Sequence, residues 1–119
     1  MAVKRMYTGG CHCGEVRYEV TTDLADVMSC NCSICTKLGA LWMFTTPDQF
    51  ALRTGEECLT EYRFNTRSVQ HLSCTACGIE SFVRGEMPDG TAVVGINVRC
   101  LDGVDIAALK PKPFDGKSR

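Results

Sequence analysis

Seven of the nine cysteines in this 119-residue chain are gathered into three short runs. Cys11-His12-Cys13 comes first, Cys30-Asn31-Cys32-Ser33-Ile34-Cys35 follows, and Cys74-Thr75-Ala76-Cys77 closes the set. Thiols two or three residues apart can turn toward one point about 2.3 Å away, the distance at which structural zinc holds sulfur. The clustering therefore predicts a zinc protein. A secreted disulfide framework fits less well, because the count is odd and the spacings are CxC and CxxC.

The runs divide unequally between two ions. Cys11 and Cys13 pair with Cys74 and Cys77 to make a closed four-thiolate set, which saturates tetrahedral zinc and turns ion binding into folding energy. Cys30, Cys32 and Cys35 remain as three, the number of protein ligands a catalytic zinc keeps when its fourth position is reserved for water or substrate. Two zinc ions per chain are expected. Two other readings stay open: Cys58, Cys100, His12 or His71 closes the second set into another structural site, or Cys32 and Cys35 act as a redox CxxC. Cys58 and Cys100 fall in apolar strand patterns and read as small core hydrophobes. His12 lies between two ligands and His71 just ahead of Cys74; both read as surface residues or ligand neighbours. Trp42, Met43 and Phe44 read as core that is also able to line the open site, and Lys37 and Asp48 are the nearest acid-base candidates along the chain.

Composition bounds the class. Apolar residues make up 45% and charged residues 23%, as in ordinary globular proteins. The length suits one domain over residues 1–119, burying roughly two thirds of its unfolded surface. The formal charge of -1 becomes more negative once seven thiolates outweigh two dications, so no nucleic-acid partner is expected. The N-terminus lacks the apolar centre of a signal peptide, and no apolar run approaches the ~18 residues of a membrane span. A reducing, cytoplasmic setting without a membrane partner is the expectation.

Along the chain, alternation from Gly14 to Val20 places Val16, Tyr18 and Val20 on one face of a strand. A short helical turn is expected after the central cysteines, with Ser33 as its cap and Gly39 limiting it. Ala40 to Phe44 reads as a strand buried on both faces. Further strands are expected over Gln49 to Leu52, Cys58 to Phe64 (with Cys58, Thr60, Tyr62 and Phe64 on one side), Val69 to Ser73, Ser81 to Arg84 and Thr91 to Val98. Met87-Pro88-Asp89-Gly90 is a hairpin turn signal, Leu101 to Leu109 is ambiguous, and the Lys110-Pro111-Lys112-Pro113 tail is extended. Gly78 is expected to adopt a positive φ in its knuckle.

These residues also match a known pattern. Gly10-Cys11-His12-Cys13-Gly14-Glu15-Val16-Arg17-Tyr18, Cys30 to Ala40, Cys74-Thr75-Ala76-Cys77-Gly78, Asn97-Val98-Arg99-Cys100-Leu101 and the closing Phe114-Asp115-Gly116 together resemble the glutathione-dependent formaldehyde-activating enzyme family, also called the CENP-V/GFA domain. The resemblance covers essentially the whole chain. It implies a mainly β, Mss4-like fold of antiparallel sheets around zinc knuckles, with at most short helical turns. It also implies a structural zinc on Cys11, Cys13, Cys74 and Cys77 and a catalytic zinc on Cys30, Cys32 and Cys35. The implied activity is that of a carbon-sulfur lyase joining formaldehyde to a small thiol, glutathione, as S-hydroxymethylglutathione; the alternative is a non-catalytic zinc-binding module for a macromolecular partner. One departure is Thr36, where members often carry arginine, which leaves Lys37 alone to meet an anionic substrate.

Overall fold

A computed structural model describes residues 4–63, 69–87 and 89–115. Among the described residues ten strands and one short α-helix, with 3-10 turns between some of them, follow one another as β1 (Arg5–Gly10), β2 (Arg17–Thr22), β3 (Met28–Cys30), α1 (Ser33–Leu38), β4 (Trp42–Thr45), β5 (Phe50–Thr54), β6 (Leu59–Tyr62), β7 (Val69–Cys74), β8 (Phe82–Glu86), β9 (Ala92–Asn97) and β10 (Lys112–Phe114). They form a three-stranded sheet, β1-β2-β5, and a seven-stranded sheet, β10-β3-β4-β9-β8-β7-β6. The fold is mainly β, as the sequence implied.

The core lies between the sheets. The β2 alternation buries Val16, Tyr18 and Val20 almost completely, and they meet Met43, Leu72, Phe82 and Ile96 from the larger sheet. Tyr18, Phe50 and Phe82 pack as a trio with ring centroids 5.0–5.7 Å apart, a spacing at which aromatic edges and faces attract. The Tyr18 hydroxyl donates to the Ser81 carbonyl at 2.9 Å, so its one polar atom is satisfied inside the core.

Several local expectations needed correction. Strand β10 pairs with β3 in parallel, so the larger sheet is mixed. Its Pro113 is tolerated because β10 is an edge strand and owes no ladder hydrogen bond on its outer side. Ala40, Leu41, Trp42 and Met43 are buried, but Phe44 is 47% exposed: only the inner face of β4 is covered beyond Trp42. On β6 the residue packed against the core is Leu59, while Thr60 and Tyr62 are exposed. The alternation left open which side faces inward; Thr60 and Tyr62 lie on the outer one, and Phe64 lies outside the described residues. Cys32, rather than Ser33, occupies the helix N-cap, with extended backbone angles and no side-chain cap. The β8-β9 hairpin forms where the turn signal predicted, with the Met87 N–H on the Thr91 carbonyl at 2.8 Å; Pro88 lies outside the described residues.

The larger sheet's register sets up the site. Met28 is the Cα partner of both Trp42 and Lys112, and Cys30 is the partner of Phe114. Cross-strand partners point to the same face, and residues two apart along a strand do too. Met28, Cys30, Trp42, Phe44, Lys112 and Phe114 therefore share one face, the one turned away from the three-stranded sheet.

Candidate metal centres

The first knuckle begins with a steric requirement. A Cβ placed on Gly10 would stand 1.9 Å from the Val16 carbonyl oxygen, so only glycine lets the chain pass this close and return for the Cys11 N–H to reach that oxygen at 3.1 Å. The loop closes with the Val16 N–H on the Cys11 sulfur at 3.3 Å. In the partner knuckle Gly78, at φ 80°, places its N–H on the Cys74 carbonyl at 2.8 Å. The positive φ expected there is present, and it is one that glycine adopts without strain.

These turns bring the Cys11, Cys13, Cys74 and Cys77 sulfurs within 4.8 Å of one another. Cys13 lies 3.6 Å from both Cys11 and Cys74. Four sulfurs at about 2.3 Å from one tetrahedral ion stand about 3.8 Å apart, so the separations suit a shared ion, and all nine cysteines are free thiols. The proton affinities point the same way. Hydrogen bonds from the Ile79 and Cys13 N–H groups pull Cys77 down to about 6. The Glu15 N–H acts to lower Cys13, but burial and the neighbouring Cys11, Cys74 and Cys77 push it up to about 12. Four thiols so close cannot all ionise without a cation among them, and an all-sulfur set is consistent with zinc among thiophilic metals.

The second set is built on one turn. Strand β3 delivers Cys30, and α1 starts immediately after Cys32, with the Thr36 N–H on the Cys32 carbonyl at 2.9 Å. The Cys30, Cys32 and Cys35 sulfurs lie within 4.8 Å of one another and could hold a metal ion. Burial would raise Cys32, but hydrogen bonds from Cys35 and from the Ile34 N–H lower it. Burial and Cys32 raise Cys35, against a hydrogen bond from the Trp42 indole. Cys35 is 8% exposed and packs with Ala40, Trp42 and Val83, whereas Cys30 and Cys32 are half-buried. The set is thus anchored on one side and reachable from the other, and its sulfur chemistry is consistent with zinc as well.

A family profile described as glutathione-dependent formaldehyde-activating enzyme matches residues 6–113. The chain belongs to that family. A crystal structure of a Rhodobacter sphaeroides protein is also similar, with 34% identity, a TM-score of 0.78, and coverage of 89% of this chain and 97% of that one.

In this family member the remaining sequence candidates are dispersed. His12 is exposed. His71 is buried, not at the surface, with its Nδ1 3.2 Å from the Glu80 carboxylate. Cys58 and Cys100 are half-buried rather than core, and among the described residues neither they nor the histidines join either sulfur group. Cys58 lies 3.7 Å from the Glu15 carboxylate, and burial raises Cys100 to about 11. Asp48 sits in a 3-10 turn, where hydrogen bonds from Thr46 and Gln49 lower its carboxyl. Thr36, at the family's frequent arginine position, donates its hydroxyl to the Asn31 carbonyl at 3.1 Å and so braces the turn carrying the thiols. Sequence reasoning missed two supports. The Asn31 N–H is held by the Phe114 carbonyl and the Gly39 carbonyl by Arg99 Nε, both at 3.1 Å. Neither is signalled by spacing, because each partner comes from a distant segment. Among the described residues no helix is long and apolar enough to cross a membrane.

Proposed function

We propose that the chain is a zinc-dependent, carbon-sulfur lyase-type enzyme acting on the adduct of a small thiol such as glutathione with an aldehyde, as in S-hydroxymethylglutathione synthesis. The observation that carries this reading is the unequal donor count: four sulfurs in one group and three in the other, where the described residues supply no fourth His, Cys, Asp or Glu. Cys11, Cys13, Cys74 and Cys77 would hold a structural zinc, and Cys30, Cys32 and Cys35 a catalytic one.

Zinc at the second set would supply Lewis acidity toward a carbonyl oxygen and would lower the pKa of a thiol held beside it. The chain's own residues do the rest. Trp42 orients Cys35 through its indole N–H and, with Ala40 and Val83, keeps water from that side. The Ile34 and Cys35 N–H groups hold Cys32 in place. Lys37, exposed in the last turn of α1, offers a cation to the carboxylates of a glutathione-like thiol. In the reaction the C–S bond forms as the S–H bond breaks, and the proton passes to the carbonyl oxygen without any change in oxidation state.

The test is zinc stoichiometry combined with Cys32→Ser. The wild type should hold two ions per chain and consume formaldehyde in a thiol-dependent way, above the uncatalysed rate. The variant should lose one ion and that activity while keeping a native melting transition. Unchanged consumption by the variant would sink the assignment. No turnover by the two-zinc wild type would favour a non-catalytic zinc-binding module.

A further inference from the structure

The sheet face that carries Cys30 also carries an apolar groove. Met28, Phe44, Pro113 and Phe114 line a groove of about 480 Å³, together with Val27. Its lining residues neighbour the three-sulfur set without including it. Met28 packs against the cluster containing Cys35, Cys30 and Cys32, and Phe114 is the direct cross-strand partner of Cys30. Phe44 stands two residues along β4 from Trp42, and its ring lies over Gly95, where an added Cβ would meet it at 2.9 Å and Val83 at 2.7 Å. The groove's polar residues are Asp26 and Lys112, which satisfy each other at 3.6 Å.

Resting on the catalytic reading of Cys30, Cys32 and Cys35, we propose that this groove is the subsite for the aldehyde's carbon substituent, so that the substrates include adducts of alkyl or aryl aldehydes larger than formaldehyde. Two chemical facts assign it to the aldehyde rather than the thiol. A glutathione-like tail is charged and polar, and would lose hydration without gaining partners on Phe44, Met28 and Phe114. Formaldehyde has only hydrogen on its carbonyl carbon and would leave an exposed aromatic wall beside the reacting centre unused; Phe44 is 47% exposed on that wall. The balance is unchanged by the larger group: one C–S bond forms, one S–H bond breaks, and the proton goes to the carbonyl oxygen. A second groove, of about 550 Å³, lies against Arg63, Arg84 and Val94 and includes no cross-strand partner of Cys30.

The test uses the zinc-loaded protein and two unreactive mimics, S-methylglutathione and S-hexylglutathione. Binding is read from the fluorescence of Trp42, the sole tryptophan, alongside thiol-dependent consumption of formaldehyde and hexanal. S-hexylglutathione should bind at least about 10-fold more tightly than the methyl compound, since each methylene leaving water for an apolar site adds severalfold and the open groove need cover only two of the five. Phe44→Ser, at a half-exposed position that folding tolerates, should bring that ratio close to one, and Phe114→Ala should reduce it. Equal affinities in the wild type, or a ratio that Phe44→Ser leaves intact, would overturn the subsite. Hexyl preference without consumption of either aldehyde supports the groove and removes the catalytic reading; formaldehyde consumption without hexyl preference does the reverse.

Discussion

At Cys11, Cys13, Cys74 and Cys77 two distant segments of chain meet, with Cys13 and Cys74 61 positions apart, whereas Cys30, Cys32 and Cys35 come from a single continuous turn. Closing a long loop costs chain entropy that local closure does not. An ion at the first site therefore stands in for many tertiary contacts, while one at the second orders only a turn that α1, Trp42 and the β10 edge already brace. The same contrast appears in burial: Cys11 and Cys74 are sealed into the main core, whereas Cys30 and Cys32 stay half open beside an exposed aromatic groove. Distance along the chain suits the first site to holding the fold and leaves the second accessible, as the proposed catalysis requires.

The comparison breaks most readily at Cys74. Structural zinc contributes on the order of 10–16 kcal/mol in small metal-dependent folds, against a total stability of about 5–15 kcal/mol. Cys74→Ala should abolish the cooperative melting transition, whereas Cys32→Ser should lower the melting temperature only slightly. If Cys74→Ala melted like the wild type in calorimetry, the two sites would not differ as described. Gly10→Ala is the next largest. The added Cβ meets backbone rather than a yielding side chain, and a loss of about 3 kcal/mol is expected from overpacking. In denaturant titrations of Gly10→Ala with metal analysis, zinc should leave the four-sulfur site earlier than it does in the wild type; an unchanged release point would remove Gly10 from the support of that site.

Trp42→Phe sharpens the other side. Removing the indole donor to Cys35 should weaken metal retention at the three-sulfur site about 10-fold, read by chelator competition, with about 1 kcal/mol lost in stability. An unchanged chelator midpoint would remove Trp42 from its orienting role. The smallest effect is expected at Asp102. A hydrogen bond and ion pair from Arg17, with help from the Thr8 hydroxyl, hold its carboxyl below the ordinary range. Because the folded value is depressed, the contribution is present above about pH 4, the unfolded value, and is lost as pH falls through the folded one. The pair is partly exposed, at 38% and 53%, so screening keeps it below about 1 kcal/mol. Asp102→Asn should lower stability by that amount at pH 7 in dilute salt and by less in 1 M salt, where exposed charges are screened; an equal loss in both would assign Asp102 a packing role.

The cysteine partition, the β2 alternation and the β8-β9 hairpin were all legible in the sequence, because each depends on residues within reach of one another along the chain. The reading of β4 went astray at Phe44, since an apolar run looks the same whether one face or two are covered. The β6 alternation separated two sides without choosing between them: Leu59 and Tyr62 are both apolar enough to face inward, and only the partner sheet decided. His71 gave no local sign of burial, because its partner Glu80 sits on the far side of the second knuckle.

By itself the sequence determined which thiols can share an ion, because two or three residues of backbone set how far a sulfur reaches. It also determined that the chain is built from short strands, through period-two alternation and turn chemistry. Only the tertiary structure decided that Met28, Cys30, Phe44 and Phe114 look out from one face, and that the tail returns parallel to β3 to pin Asn31. Register between strands far apart in sequence is a property of the assembled sheet, where shifting one strand by a single residue would turn the groove's wall to the other side.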